Sequence, residues 1–144
     1  MSLVKIGLEI HAQITALNSK LFCSCRGNYR DLGPNTNICE ICCGLPCSLP
    51  VINQRAIEYS AMTSRALGCK VPDKIMLYRK NYFYPDLPKN FQITQYNVYG
   101  FSSIGVDGIY ELDDAKQIRI SRIQLEEDPG RIAYAEGGMN VRNS

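Results

Sequence analysis

Four cysteines constrain this chain more than any other feature. Cys23 and Cys25 form a C-x-C pair, Cys39 and Cys42 form a C-x-x-C pair, and the loop between them reads RGNYRDLGPNTNI. That loop is dense in Gly, Asn, Asp and Pro and has no apolar period, so it cannot build a core of its own. Two thiolate pairs gathered on one tetrahedral ion would supply the missing stabilisation. Zinc is the expected ion, because it takes four soft ligands at about 2.3 Å. Cys43, Cys47 and Cys69 blur the ligand set, since Cys43 could replace a neighbour in register. The competing reading is a set of small buried residues in a reducing compartment. A redox pair is disfavoured, because no thioredoxin-like βαβ pattern surrounds Cys39 and Cys42.

The other bounds agree. The chain of 144 residues is long enough for one domain with a real core and a small appendage. Seven cysteines, an odd number, occur without a secretory leader, which favours metal binding in the cytoplasm over a disulfide framework. No apolar run approaches the roughly 20 residues that span a bilayer. A net charge of +2 does not by itself imply nucleic-acid binding. Met1-Ser2-Leu3 is set aside as a possible cloning remnant.

The only histidine sits in KIGLEIHAQI, where Val4, Ile6, Leu8, Ile10, Ala12 and Ile14 share one parity. That period of two predicts a half-buried strand with Glu9, His11 and Gln13 on its other face. Those three side chains could line a reaction site or form a solvated face. A turn and a short strand or strand end follow in ALNSKLFCSC. NQRAIEYSAMTSRALG predicts a helix with Asn53 as N-cap, an apolar stripe of Ile57, Ala61 and Leu67, and Gly68 as terminator. GIYELDDAKQIRISRIQLEED predicts two strands joined at Asp113-Asp114. The tail after Pro129 carries no stop signal for any element.

Two further stretches carry chemistry. RIQLEEDPG sets Glu126, Glu127 and Asp128 at a strand end, where adjacent carboxylates repel unless a cation neutralises them. Ile118 and Ile120 share one parity, Ile123 and Leu125 the other. A bulge near Arg122 would explain the slip but leaves open which glutamate faces inward. In YRKNYFYPDLPKNFQITQY, Pro85 and Pro88 stiffen a loop bearing Tyr82, Phe83 and Tyr84, which could pack on a base, on an adenine or into the core. Lys80 and Lys89 could meet phosphate or carboxylate groups.

Taken in order, IGLEIHAQI, SKLFCSC, PNTNIC, GLP, LPVIN, RKNYFYPDLPKNFQITQY and ISRIQLEED resemble the amino-terminal part of the B subunit of the tRNA-dependent amidotransferases, nearly across the chain. The archaeal E subunit of the Gln-specific enzyme is a near relative, but the long aromatic motif favours the B type. The resemblance implies an α+β fold with a mixed or antiparallel sheet and helices, akin to glutamine synthetase and the guanidino kinases. It places the amino-terminal portion of that catalytic domain at 1–144, with a zinc-binding loop at about 22–47.

The implied enzyme is a carbon–nitrogen ligase with glutamine as amido donor. ATP phosphorylates the side-chain carboxylate of Glu-tRNA(Gln) or Asp-tRNA(Asn). Ammonia from an amidase-family glutaminase, the A subunit, then displaces phosphate, and the complex also includes a small C subunit. Carried over by resemblance, Glu9, His11 and Glu127, with Glu126 as second choice, hold magnesium. Lys80 lies in the catalytic set, Lys89, Tyr82, Tyr84 and Gln95 serve the cofactor, and both lysines lie near the ammonia route. Cys23, Cys25, Cys39 and Cys42 match the zinc knuckle. Physical chemistry accords with this. Carboxylates suit magnesium, a histidine ligand admits manganese, and phosphoryl transfer asks mainly for positioning and charge. The sequence has no G-x-x-x-x-G-K-[ST] P-loop, consistent with a glutamine-synthetase-like cleft.

Length is the main departure, since the family's chain is far longer and supplies a further acidic ligand, a helical region and a tRNA-binding tail. A truncated piece with exposed sheet edges, inactive alone, is therefore expected. Cys47 and Pro129 are lesser departures. The alternative from another class is a non-catalytic, zinc-stabilised module that binds RNA or protein through its aromatic loop.

Overall fold

The computed structural model describes residues 4–85, 88–96, 103–113, 116–128, 130–135 and 138–142, with backbone alone from 131 onward. Asp114 and Pro129 lie outside the described residues. Among these residues are one helix, α1 (Gln54–Ala66), and six strands: β1 (Tyr78–Asn81), β2 (Phe91–Thr94), β3 (Gly105–Glu111), β4 (Gln117–Ile123), β5 (Arg131–Ala135) and β6 (Gly138–Arg142). The strands form three antiparallel pairs, β1 with β2, β3 with β4 and β5 with β6. The class is α+β.

Asn53 caps α1 as its side chain predicts, accepting from the N–H groups of Arg55 and Ala56. Gly68 ends the helix in the left-handed region, at φ +68°. The buried face differs from the expected stripe. Ala56, Ser60 and Ser64 are buried, whereas Ile57, Ala61 and Leu67 are only half-buried. Close approach to β3 explains this: a Cβ on Gly105 would lie 2.5 Å from the Ser64 hydroxyl oxygen, so only small residues fit the contact. Ser64 satisfies its buried hydroxyl on the Ser60 carbonyl at 2.7 Å.

The aromatic stretch is a hairpin rather than a loop. Tyr78 pairs with Thr94 and Asn81 with Phe91, so its ends are β1 and β2 and its prolines fall in the connection. Phe91 and Ile93 point inward onto Phe22, with Leu21, Ile52 and Leu77 packed around them. Backbone bonds from Val51 N–H to the Phe22 carbonyl and from Asn53 N–H to the Leu21 carbonyl, both 2.9 Å, bring those side chains together.

β3 and β4 form the expected hairpin, but without a bulge. The pairs Val106–Arg122 and Gly108–Ile120 keep one register, and the rung between them is interrupted where Asp107 takes φ +51°. The parity slip has another origin. Past Ile123 the chain leaves β3 and bridges β2 instead, through Thr94 and Glu126, which resets inward and outward and buries Leu125.

The largest correction concerns residues 4–14, which form no ladder with any of the described residues. Val4, Ile6, Leu8 and Ile10 are each more than 80% exposed. Alternation specifies two faces, but a strand exists only where a neighbour takes its backbone N–H and C=O groups. Ser19 and Arg26 make a single bridge where a short second strand was expected. β5 and β6 form a hairpin in the tail, for which the sequence offers no recognised signal.

Candidate functional site

Short backbone turns build the cysteine site from both sides. Lys20 N–H bonds the Cys25 carbonyl at 2.7 Å and Gly27 N–H the Asn18 carbonyl at 3.0 Å, folding Cys23 and Cys25 onto one tight turn. Cys43, Gly44 and Leu45 donate to the carbonyls of Cys39, Ile41 and Glu40 at 3.0–3.1 Å, curling the second pair. Gly44 adopts φ +65°, and a Cβ there would lie 2.5 Å from the Phe91 ring, so the knuckle rests directly on the core.

The four sulfurs converge. Cys42 Sγ lies 3.3 Å from that of Cys23, 3.7 Å from Cys39 and 3.8 Å from Cys25, and all four lie within 4.8 Å of one another. Tetrahedral bonds of about 2.3 Å give sulfur–sulfur edges of about 3.8 Å, so the set has the size of a metal site. Cys43 and Cys47 are exposed and Cys69 is buried against β3, which resolves the register ambiguity in favour of Cys42.

Electrostatics divide the thiols. The Cys23 thiol beside Cys42 holds Cys42 well below the ordinary thiol range, aided by the Cys39 backbone and the Lys20 ammonium, against the opposing effect of burial. The same hydrogen bond, with burial, pushes Cys23 up. Burial first, and then its thiol neighbours, raises Cys25 to about 11. A lowered Cys42 beside raised Cys23 and Cys25 is the division expected of a metal-free cysteine cluster, and metal binding would release the protons that the raised thiols keep.

Lys20 and Asn37 hold the intervening loop. Lys20 Nζ donates to the Asn37 carbonyl at 2.9 Å and to Cys42 Sγ at 3.6 Å. The Asn37 side chain clasps both backbone groups of Arg26, at 3.1 and 2.9 Å. Neither residue stands out in the sequence; a lysine three positions before the first cysteine is the only cue.

The carboxylates are arranged less simply. Glu9 and His11 meet at 3.4 Å, both largely exposed. Glu127 pairs instead with Lys89, and its second oxygen accepts the Ile93 N–H at 3.0 Å. Glu126 accepts from Gln92 Nε2 at 3.4 Å. Among the described residues the four cysteines are the one set of three or more His, Cys, Asp and Glu close enough to share an ion. Glu9, His11 and Glu127 are thus not drawn together directly. Tyr29 links their neighbourhoods, accepting from Gln13 Nε2 at 3.4 Å and donating to Asp128 at 3.3 Å. A lone aromatic in a polar loop is the signal for it.

The aromatic hairpin places its cations on rings. Lys80 Nζ lies 5.0 Å from the Tyr82 centroid, and Arg79 and Lys89 lie 4.9 and 4.8 Å from that of Phe91. Tyr82 and Tyr84 meet edge to face at 5.7 Å. Phe83 and Tyr84 are exposed, open to a flat ligand. Gln95, expected at the cofactor, is 2% exposed, and its Oε1 accepts the N–H groups of Ile104 and Leu125 at 3.1 and 2.9 Å. Its visible task is to tie β2 to the segments flanking the β3–β4 hairpin.

Among the described residues no helix is long and apolar enough to cross a membrane. Curated relatives are similar over nearly all of this chain. The aspartyl/glutamyl-tRNA(Asn/Gln) amidotransferase B subunit of Saccharolobus solfataricus is 50% identical over 137 residues, covering 95% of this chain and 29% of that protein. The B subunit of Aeropyrum pernix is 49% identical over 141 residues, 94% of this chain and 29% of its own. That of Thermomicrobium roseum is 48% identical over 132 residues, 90% of this chain and 26% of its own. The chain therefore spans less than a third of the length of these relatives. A sequence model described as the GatB/GatE catalytic domain matches residues 4–143, and the chain belongs to that family.

Proposed function

We propose that the chain is the amino-terminal part of the catalytic domain of the B subunit of a tRNA-dependent amidotransferase, in a glutamine-synthetase-like fold. One observation carries the reading: the chain is 50% identical to a named B subunit over 137 positions. The reaction is ATP-dependent activation of the side-chain carboxylate of Glu-tRNA(Gln) or Asp-tRNA(Asn), followed by amidation with ammonia from glutamine. The partners are a glutaminase A subunit, a small C subunit and the misacylated tRNA, in the cytoplasm.

Cys23, Cys25, Cys39 and Cys42 hold a structural zinc, for which their mutual spacing is suitable. Glu9 and His11, side by side at 3.4 Å, and Glu127 are donors of the kind that magnesium or manganese takes, although among the described residues they do not gather within reach of one ion. Such an ion would supply charge neutralisation on phosphate oxygens. Lys89 and the Ile93 N–H orient the Glu127 carboxylate. Lys80, seated on Tyr82, extends positive charge toward the same region, and Tyr82 and Tyr84 offer ring faces to a base.

The test uses the full-length protein in complex with its A-type and C-type partners, following glutamine-dependent conversion of Glu-tRNA(Gln) to Gln-tRNA(Gln). His11→Ala is expected to lower turnover by about two orders of magnitude, the scale for removing one stabiliser of transition-state charge. Turnover unchanged in His11→Ala and Glu127→Gln would reject the ligand assignment. Absence of conversion by the unmodified complex with either charged tRNA would reject the function.

A further inference from the structure

A cavity of about 340 Å³ opens beside β2, and its lining includes Lys80, Gln92, Gln95, Arg122, Gln124 and Glu126. Several of these groups are already committed. Gln92 Nε2 donates to the Glu127 carbonyl at 2.8 Å and to Glu126 Oε2. Gln124 Nε2 donates to the Gln95 carbonyl at 2.7 Å. What remains defines the ligand.

Among the described residues Arg122 makes no ion pair or side-chain hydrogen bond, and Lys80 Nζ rests only on the Tyr82 ring face. Gln95 is nearly fully buried, and its amide cannot flip, because Oε1 receives two backbone N–H groups. Its Nε2 is left buried without a partner, a donor that costs free energy until an acceptor meets it. Glu126 has given only one oxygen to Gln92.

The cavity thus offers two cations beside one carboxylate, with the buried Gln95 amide behind its wall. A plain anion would leave Glu126 facing like charge, and a plain cation would leave Arg122 and Lys80 doing the same. The complementary ligand carries a carboxylate and an ammonium a few atoms apart. In an aminoacyl ester the α-carboxylate is esterified, so the only free carboxylate is that of the side chain.

We infer that this cavity receives the acidic aminoacyl end of the substrate, with the Arg122 fork on its side-chain carboxylate and Glu126 on its α-ammonium. This rests on the amidotransferase reading above and assigns Arg122 as a substrate-binding residue. An arginine fork matches carboxylate geometry in a way that a lysine does not. Lys80 adds charge without direction.

The test titrates small esters into this chain, followed by backbone amide shifts. L-Glutamate α-ethyl ester is expected to bind about tenfold more tightly than glutarate monoethyl ester, which lacks the ammonium, or L-glutamine ethyl ester, which lacks the carboxylate. Arg122→Gln and Arg122→Lys should erase the preference over the glutamine ester, and Glu126→Gln the preference over the glutarate ester. Arg122 and Glu126 are exposed, so these variants should stay folded, as unperturbed shifts elsewhere would verify. Equal binding of all three esters overturns the inference, as does tighter binding of inorganic phosphate that depends on Arg122 but not on Glu126. The two readings separate in the assembled complex. Discrimination among esters without any amidation of charged tRNA rejects the activity and leaves the cavity assignment standing. Amidation with KM unchanged by Arg122→Gln rejects the cavity assignment alone.

Discussion

The ammonium of Lys20 stands 3.6 Å from the sulfur of Cys42, a thiol held below its ordinary range. A four-thiolate zinc centre carries a net charge of −2, so a cation at its edge stabilises the charged form and fixes the orientation of one ligand. Lys20→Met is expected to weaken zinc by about tenfold, the lower end for outer-shell partners, measured by competition with a chromophoric chelator. Unchanged affinity would reduce Lys20 to a loop tether acting through Asn37.

Without a metal, the cysteine cluster should show a pH dependence of definite sign. Cys42 is lowered, so its contribution is fully present above the unfolded thiol pKa and is lost as pH falls toward the acid range. Cys25 is raised to about 11, so its contribution is present below the unfolded value and is lost as pH rises toward 11. Chelator-treated protein should therefore be most stable near the ordinary thiol pKa of about 8.5 and decline on either side. Urea midpoints measured from the acid range up toward the raised Cys25 value would check this. Cys42→Ser should flatten the acid limb.

Lys89 and Glu127 form an ion pair whose side chains are only 9% and 17% exposed. Breaking such a pair from one side strands the other charge, at a cost of about 3–5 kcal/mol for a buried pair and less here because some solvent remains. Lys89→Met alone should destabilise by about 2–4 kcal/mol, and Lys89→Met with Glu127→Gln by clearly less. Equal losses from the single and double variants in urea unfolding would show that the pair is not coupled.

Gln95 places one side-chain oxygen on two buried backbone N–H groups. Gln95→Leu leaves both without an acceptor and should cost about 2–5 kcal/mol. Amide exchange should quicken at Ile104 and Leu125 first. A variant as stable as the parent would mean that water reaches those groups.

The elements legible in the sequence are those with local causes. Asn53 and Gly68 bracket α1 because a side-chain cap and a left-handed residue act within one turn of the backbone. The two cysteine pairs announce the cluster because the thiol spacing and the polarity of the loop between them are both local. The β3–β4 hairpin follows from its alternation and its turn. The buried face of α1 is not legible, since Gly105, distant in sequence, decides that serine and not isoleucine faces β3. The aromatic stretch reads as a loop because its prolines draw attention away from the strands on either side.

By itself the sequence determined the family, the α+β class, the helix caps and the four cysteines that cluster. Each of these depends on residue identity at short range or on motifs read in order. Tertiary structure alone decided that Glu127 holds Lys89, that Glu126 bridges to β2 and that residues 4–14 find no strand partner among the described residues. Those outcomes turn on which backbone or charge arrives alongside from far along the chain. A period of two can say which side chains share a face, but not what that face will meet.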